Sequence, residues 1–265
     1  MSDPRIKKPV RILFISDLHI TWFTPMRIYA RNLSIIKREH KKNPYDLILL
    51  GGDYFDRNIH FPKRLNKVLA ELISLNIPIV AVLGNHDTRF KAVNTGAVRE
   101  ILQKAGITLL ENDSYTYTKN DTSVLIVGLK DLEGTSEYLE GKFFIQSPRF
   151  YKRTLKNIDA YQKFDDIKPE LFRILLSHNP DCSLLPGSRR PDLAISGHTH
   201  GGQAFFLTWL GLVFKQVNPH GSFQSQAGIK SINGMPLIIS RGFGYGVAPF
   251  RYGAPPDVYA ITLNP

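Results

Sequence analysis

The chain has 265 residues, 43% of them hydrophobic, and carries 34 Lys and Arg against 23 Asp and Glu, a formal net charge of +11. This suits one large α/β domain, or at most two small ones, and we predict a single domain over residues 1–265 because no linker divides the sequence. The single cysteine excludes an intrachain disulfide, and no apolar run reaches the ~20 residues of a membrane span.

The first half of the chain alternates apolar runs with helical patterns. This β-α-β-α-β-α order predicts parallel strands joined by crossover helices, whose functional groups gather beyond the carboxyl ends of the strands. The predicted strands are Ile12–Ile15, Asp46–Leu50 and Ile77–Leu83, and the predicted helices are about Met26–His40, Pro62–Leu75 and Ala92–Ala105.

The second half is richer in strands, and a turn at Asp121 predicts an antiparallel hairpin between the first two. A helix is expected over about Pro148–Tyr161, so that a second sheet packs on the first with helices outside. The predicted strands are Ser114–Lys119, Val124–Leu129, Arg173–Ser177, Leu193–Ser196, Gln203–Phe206, Leu237–Ser240 and Val258–Leu263.

Five short polar segments each follow one of the predicted strands. They contain Asp, Asn and His side chains, which are ligands for a pair of hydrolytic metal ions. The segments are Asp17-Leu18-His19, Gly52-Asp53, Gly84-Asn85-His86-Asp87, Ser177-His178 and Gly197-His198-Thr199-His200-Gly201-Gly202.

The spacing of these side chains favours metal binding. Residues two apart in an extended segment point to the same side, so Asp17 and His19 can hold one ion together. The Asp53 carboxylate has two oxygens and can bridge two ions. Carboxylate with imidazole suits Mn, Fe and Zn better than Ca or Mg, and we expect Mn, with Fe or Zn as alternatives.

In order and spacing, the five segments resemble the signature blocks of the calcineurin-like metallophosphoesterases. The resemblance implies a four-layer α/β/β/α sandwich of two mixed sheets and in-line attack on phosphorus without a covalent enzyme intermediate. It assigns one ion to Asp17, His19, Asp53 and His200, and the other to Asp53, Asn85, His178 and His198.

The same resemblance gives roles to neighbouring residues. His86 would contact the phosphate and protonate the leaving group, and Asp87 would orient His86. Arg57, in a G-D-x-x-D-R stretch with Asp53, would bind phosphate; a surface or ion-paired arginine is the alternative. Arg241, in Ser-Arg-Gly-Phe-Gly, would shape the rim of the site, unless the block is only a structural turn.

The GHTHGGQ segment and the Arg241 block resemble one bacterial subgroup. It includes membrane- and cell-wall-associated phosphoesterases and the chlamydial-type UDP-2,3-diacylglucosamine pyrophosphatases of lipid A synthesis. The better-known enzymes of that step carry Arg where this chain has His86. The resemblance therefore implies hydrolysis of UDP-2,3-diacylglucosamine, with a general phosphodiesterase or nuclease and an inactive scaffold as alternatives.

The segment Ala204–Phe214 is apolar and follows the last predicted ligands directly. It would form an apolar wall beside the metals or touch a membrane interface, or else be buried in the second sheet. With the basic charge, this favours a lipid-linked substrate and an anionic membrane surface as partners rather than nucleic acid.

Two expectations concern location and reactivity. The charged N-terminal residues lack an apolar signal segment, so we expect a cytoplasmic protein peripheral on the inner membrane. Cys182, which precedes Leu184-Leu185, is expected to be a structural thiol rather than a nucleophile.

Overall fold

The first half of the chain folds as the alternating pattern predicts. The computed structural model describes residues 1–22, 24–56, 62–89, 95–131, 170–184, 190–202, 227–245, 251 and 253–265. In chain order the elements are β1 (Val10–Ile15), α1 (Met26–Lys42), β2 (Leu47–Leu50), α2 (Pro62–Ile73), β3 (Ile79–Ala81), α3 (Asn85–Arg89), α4 (Thr95–Lys104) and β4 (Thr108–Leu109). The short helix α3 and the strand β4 are additions to the predicted elements.

The first sheet has the order β11-β1-β2-β3-β4, where β11 is Tyr259–Leu263. Strands β1 to β4 pair in parallel, so their carboxyl ends share one edge. The last strand, β11, returns from the far end of the chain and pairs antiparallel with β1. The predicted parallel arrangement of the first half is confirmed.

The second sheet has the order β5-β6-β7-β8-β10-β9. Its strands are β5 (Asp113–Lys119), β6 (Thr122–Gly128), β7 (Phe172–Leu176), β8 (Leu193–Ser196), β9 (Gly228–Ile232) and β10 (Met235–Ile239). The hairpin β5-β6 is antiparallel, as predicted, and both turn residues have positive φ, 47° at Asn120 and 61° at Asp121, as a type I′ turn requires. Strands β6, β7, β8 and β10 are parallel neighbours.

The core between the sheets consists of side chains from both. Phe14 of β1 and Leu49 of β2 belong to the same buried cluster as Ile126 of β6 and Ile174 of β7. Because alternate residues of a strand point to opposite faces, the neighbouring residues Leu13 and Ile48 face the helices instead. The two mixed sheets therefore pack face to face.

Helices cover the other face of the first sheet. Helix α1 buries Tyr29, Leu33 and Ile36, while α2 buries Leu65, Val68, Leu69 and Leu72, all at helical spacing. This confirms three layers of the predicted α/β/β/α sandwich. The helix expected at 148–161 and the strand expected at 203–206 lie outside the described residues, and no helix among the described ranges is long and apolar enough to span a bilayer.

The outer face of the second sheet is also apolar. Leu125, Leu175 and Leu237 are buried there with Cys182, which lies on a 3₁₀ helix at Pro180–Leu184. Burial raises the pKa of the Cys182 thiol well above its usual value. This location agrees with a structural thiol.

Candidate metal centre

The predicted ligands converge at the carboxyl ends of the strands. Asp17 and His19 follow β1, Asp53 follows β2, and Asn85 begins α3 after β3. From the second sheet, His178 follows β7, and His198 and His200 follow β8. Parallel strands with a common carboxyl edge in each sheet thus bring together residues from distant parts of the chain.

The first ligand group comprises Asp17, His19, Asp53 and His200. The Nε2 atoms of His19 and His200 lie 3.0 Å apart, and the same nitrogen of His19 lies 3.3 Å from Oδ2 of Asp53. Oδ1 of Asp17 lies 3.6 Å from Nε2 of His200 and 3.8 Å from Nε2 of His19. Four donor atoms therefore face one small volume.

The second ligand group comprises Asp53, Asn85, His178 and His198. Oδ1 of Asn85 lies 3.0 Å from Nε2 of His178 and 3.0 Å from Nδ1 of His198. Those two ring nitrogens are 3.2 Å apart, and Nε2 of His178 is 3.2 Å from Oδ2 of Asp53. This group lies beside the first and shares Asp53 with it.

One oxygen of Asp53 faces both groups. Its Oδ2 lies 3.3 Å from His19 and 3.2 Å from His178, whereas its Oδ1 accepts a hydrogen bond from the backbone N–H of His86 at 2.8 Å. The sequence predicted a bridge through this carboxylate. Oδ2 is the oxygen that two ions could share, because Oδ1 is held by the backbone.

These spacings fit divalent cations. Metal–nitrogen and metal–oxygen bonds of about 2.0–2.2 Å place adjacent ligand atoms about 2.8–3.6 Å apart in octahedral or tetrahedral geometry. The separations between the candidate ligand atoms fall in this range, apart from the 3.8 Å between Oδ1 of Asp17 and Nε2 of His19. The donors, imidazole nitrogens with carboxylate and amide oxygens, are those that Mn, Fe and Zn accept.

The electrostatics of the cluster also favour a bound cation. Burial lowers the pKa of His19 well below its usual value and that of His200 to about 4, so both imidazoles keep a free lone pair at neutral pH. Burial opposes protonation of His178 as well, but the charge of Asp53, its hydrogen bond and the charges of Asp17 and Asp131 together raise the pKa of His178 well above its usual value. The buried carboxylates thus require positive charge, which a cation can supply in place of a proton.

The backbone of the ligands is held in an uncommon conformation. Five of the seven predicted ligands have positive φ: Asp17 (55°), His19 (42°), Asp53 (56°), His198 (71°) and His200 (50°). The other non-glycine residues with positive φ in the described ranges are Asn or Asp, which tolerate this region better than most residues. Such strain typically persists at functional sites, where the surrounding structure enforces it.

Two glycines leave the space that the ligand carboxylates occupy. A Cβ added at Gly84 would overlap Oδ1 and the backbone nitrogen of Asp53. A Cβ added at Gly197 would overlap Oδ2 of Asp17 and the hydroxyl of Ser16. Close backbone approach therefore explains why glycine stands at these positions.

His86 lies at the edge of the cluster, beside the first ligand group. Its ring packs edge-on against His19 with centroids 4.8 Å apart, and His19, Asp53 and His86 together could themselves hold a cation. Burial lowers the pKa of His86, but the charges of Asp53 and Asp56 and the hydrogen bonds to Asp56 together raise it to about 9.

The carboxylate beside His86 belongs to Asp56. Oδ1 of Asp56 lies 3.1 Å from Nδ1 of His86, and the backbone oxygen of Asp56 contacts the same nitrogen. The same Oδ1 lies 3.7 Å from Nδ1 of His19. Asp56 is the second aspartate of the G-D-x-x-D-R stretch, and this spacing was the sequence signal available for its role.

Asp87 has a different role from the one predicted. Its Oδ2 accepts hydrogen bonds from the backbone N–H groups of Asp53 (2.8 Å) and Gly84 (2.9 Å), and its Oδ1 accepts one from Tyr54 (3.0 Å). The prediction that Asp87 orients His86 is wrong, because both of its oxygens bind backbone donors. Asp87 instead ties the loop after β2 to the loop after β3.

The Arg241 block packs behind the first metal-binding loop. The backbone N–H groups of Phe243 and Gly244 donate to the carbonyls of Ser16 and Asp17, both at 2.8 Å. The Arg241 side chain itself lies 3.5 Å from the carboxylate of Asp257. Arg57 and the Ala204–Phe214 segment lie outside the described residues.

Sequence reasoning did not identify Arg251 as part of this region. Its guanidinium donates to the backbone oxygens of Gly244 (2.8 Å), Arg241 (2.6 Å) and Ala254 (3.2 Å), and Nη2 lies 3.4 Å from Nδ1 of His200. A lone arginine in a loop carries no sequence signal for such a position. It braces the block that supports the ligand loop.

Comparison with known proteins gives consistent results. Residues 10–202 match the profile of the calcineurin-like phosphoesterases. An uncharacterized metallophosphoesterase of Aquifex aeolicus is 30% identical over 260 residues, which cover 96% of this chain and 85% of that protein. Phosphodiesterase YaeI of Escherichia coli is 29% identical, with 96% and 82% covered.

A solved structure agrees at the level of the fold. The NAD nucleotidase of Haemophilus influenzae superposes with a TM-score of 0.54 at 16% identity, over 90% of this chain and 46% of that one.

Proposed function

Because the chain belongs to the calcineurin-like phosphoesterase family and is thus a phosphoester hydrolase, we propose that it cleaves a phosphodiester or pyrophosphate bond with two divalent metal ions. The observation that carries this proposal is the position of Asp53 Oδ2, which faces His19 at 3.3 Å and His178 at 3.2 Å. Two cations sharing this oxygen would supply Lewis acidity to the phosphoryl group and an activated water.

The side chains around the ions have separate tasks. The two ligand groups hold the ions and, through them, place the phosphoryl group. With Nδ1 of His86 against Asp56, the other ring nitrogen can hold a proton for the leaving oxygen. Asp87 keeps the loops after β2 and β3 in register through its three backbone hydrogen bonds.

The proposal extends to the identity of the ions. Four imidazoles, two carboxylates and one amide oxygen form a mixed nitrogen and oxygen donor set that suits Mn, with Fe or Zn as alternatives. Metal analysis of the protein purified without chelators, followed by reconstitution with each metal, tests this order. If Mg²⁺ restored hydrolysis and Mn, Fe and Zn did not, the proposed preference would be wrong.

The substrate proposed is UDP-2,3-diacylglucosamine, cleaved by water to 2,3-diacylglucosamine 1-phosphate and UMP. Its support is the resemblance of the GHTHGGQ and Arg241 blocks to the chlamydial-type pyrophosphatases, together with the net charge of +11. A lipid-linked substrate would also account for a peripheral position on an anionic inner membrane.

Incubation of the Mn-loaded protein with this lipid, followed by mass analysis, tests the substrate. Release of UMP by the native chain but not by an Asp53→Ala variant is the expected result. No UMP, together with hydrolysis of bis-p-nitrophenyl phosphate, would reject this lipid and retain the phosphodiesterase activity.

A second candidate is a phosphodiesterase acting on nucleotides or nucleic acid. The observation that favours a nucleotide or nucleic-acid substrate is the net charge of +11, and the related protein named a phosphodiesterase supports cleavage of a diester in general. Cyclic nucleotides and single-stranded DNA in the same assay separate this candidate from the first. Metal content below about one ion per chain, with no hydrolysis of any substrate, would instead indicate an inactive scaffold.

A further inference from the structure

The positive charge of the described chain is concentrated on two neighbouring helices. Helices α1 and α2 contain nine Lys and Arg against two acidic residues, Glu39 and Glu71, a net charge of +7 out of +11 for the chain. Both acids contact a lysine: Glu71 contacts Lys37, and Glu39 lies 3.2 Å from Lys42. The helical layer over the first sheet is therefore strongly basic.

On α1 the charges form one exposed stripe. Arg27, Arg31, Arg38 and Lys41 are exposed and, at 100° per residue, fall within a narrow arc opposite the buried Tyr29, Leu33 and Ile36. The stripe runs for about 21 Å along the helix. Within the described ranges, none of these four side chains forms a hydrogen bond or ion pair.

Apolar side chains accompany the stripe. Trp22, four residues before the start of α1, is 70% exposed, and Ile35, which flanks the stripe, is 41% exposed. An exposed tryptophan beside clustered arginines is typical of surfaces that meet the headgroup region of a bilayer. Nucleic-acid surfaces of the single-stranded type would need several stacking aromatics along the basic track.

The stripe begins at the edge of the molecule that carries the metal centre. Trp22 follows the ligand His19 by three residues, and the Tyr29 hydroxyl of α1 donates to the carbonyl of Leu18 at 2.7 Å, between two ligands. A surface that binds here therefore lies next to the loop that holds the first ligand group.

We propose that the outer face of α1, with Trp22 at its end, docks the protein on an anionic phospholipid bilayer. The apolar face of α1 is already buried in the core, so the helix lies on the headgroups without inserting, and Trp22 alone enters the interface. Binding of this kind is electrostatic and is released by salt. This docking rests on the proposed lipid-linked substrate, which it would bring to the metal centre, but vesicle binding itself does not require hydrolysis.

Vesicle sedimentation tests the charge of this face. The native chain should bind vesicles of phosphatidylcholine mixed with phosphatidylglycerol, and should not bind phosphatidylcholine alone. Each basic residue at an anionic surface contributes about fivefold to the partition coefficient. The partition coefficient of the variant R27Q/R31Q/R38Q/K41Q on anionic vesicles should therefore fall by more than about 100-fold.

The control removes the same charge elsewhere. Lys7, Lys8, Arg190 and Lys230 are exposed and lie outside α1 and α2, so the variant K7Q/K8Q/R190Q/K230Q should keep most of the binding. Equal loss in both variants would mean that only net charge matters and would overturn the proposal. So would retained vesicle binding by the α1 variant together with lost binding of a DNA duplex.

Tryptophan fluorescence identifies the part of the chain that enters the interface. The chain has two tryptophans, Trp22 and Trp209, so Trp209→Phe reports Trp22 and Trp22→Phe reports Trp209. We expect the emission of Trp22 to shift to shorter wavelength on anionic vesicles. A shift of Trp209 alone would assign the contact to the apolar segment and overturn the proposal. Phosphoesterase activity of the native chain on soluble substrates, measured in parallel, separates a failure of this proposal from a failure of the proposed function.

Discussion

At the scale of single residues, Asp53 divides its two oxygens between two tasks. Oδ1 accepts the backbone N–H of His86, while Oδ2 faces both ligand groups. The backbone bond fixes the rotation of the carboxylate, so the shared oxygen needs no reorganisation when cations bind. Preorganisation of this kind reduces the cost of binding.

Replacing Asp53 with Ala should remove both ions, because each ligand group loses its common oxygen. Metal analysis after dialysis should fall from two ions per chain to none, with essentially all hydrolysis lost. Asp113→Ala, which changes an exposed carboxylate on β5, should keep both the metal content and the hydrolytic activity. An Asp53→Ala protein that retains two ions would show that this residue does not bridge.

His86→Ala should keep the ions and slow turnover by about 100-fold or more, because a general acid is removed. His40→Ala on α1, whose Nδ1 accepts a hydrogen bond from the backbone of Tyr45, provides the control and should change neither. Steady-state kinetics and metal analysis are measured on the same preparation. Metal loss in His86→Ala would make His86 a ligand instead, as its grouping with His19 and Asp53 allows.

Asp56→Asn should slow turnover through His86, since the carboxylate lies 3.1 Å from its ring nitrogen. If Asp56 acts only by orienting His86, the double variant should be no slower than His86→Ala alone. A double-mutant cycle on kcat measures this, with metal content determined for each variant. Additive losses would mean that Asp56 acts elsewhere, for example through His19, which its carboxylate approaches at 3.7 Å.

The sequence was sufficient to predict which candidate ligands come together, but not which residues support them. Ligands such as Asp17 and His178 follow apolar strands directly, and the rule that parallel strands gather function at one edge brings them together. Asp87 binds backbone N–H groups from two different loops, and its partners depend on how those loops pack. Sequence spacing therefore could not separate the roles of Asp56 and Asp87.

At the scale of elements, short pieces of structure were the hardest to predict. The hairpin β9-β10 turns at Asn233 (φ 50°) and Gly234 (φ 84°), an Asn-Gly pair that is a strong hairpin signal. It was missed because Gly228–Ile232 has little apolar alternation. Helix α3 has only five residues, too few for a periodic pattern.

Gly84, in the loop after β3, lies so close to Asp53 that adding one methyl group there should disturb the metal centre. Gly84→Ala would place Cβ against the Asp53 carboxylate, so metal affinity should fall about 10- to 100-fold, as it does when partners of ligands are disturbed. Isothermal titration with Mn²⁺ measures the change.

Gly106→Ala is the matched control for this change. Gly106 has a φ of 72°, and nothing lies within 4 Å of its added Cβ. The control should lose about 1 kcal/mol of stability through its backbone and keep its metal affinity. Equal affinities in the two variants would contradict the proposed crowding.

At the scale of the whole molecule, the metal centre joins the two sheets. Asp17, His19, Asp53 and Asn85 come from the first sheet, and the remaining three ligands come from the second. The sheets also share an apolar core, so bound ions would add to an interface that is already closed. The layered architecture was predictable because its strands are long apolar runs, and the helices followed from their periodicity.

Bound ions should therefore raise the stability of the whole chain. Mn²⁺ at about 100 times its Kd contributes about 2.7 kcal/mol per site, which for a protein of this size raises Tm by about 5–10 °C. Thermal unfolding with and without chelator measures the difference. The Asp53→Ala variant should show no such difference, and an equal shift in that variant would place the stabilising ions elsewhere.

The division of the ligands between the sheets also has a consequence for biosynthesis. Neither ligand group is complete before His198 or His200 has been added, roughly 10–40 s of translation after Asp17 at common rates of synthesis. Until then the nascent chain carries Asp17, His19 and Asp53 without the histidine that completes either ligand group. Metal would therefore bind only after both sheets have folded. A cell short of metal would accumulate full-length apoprotein rather than half-loaded intermediates.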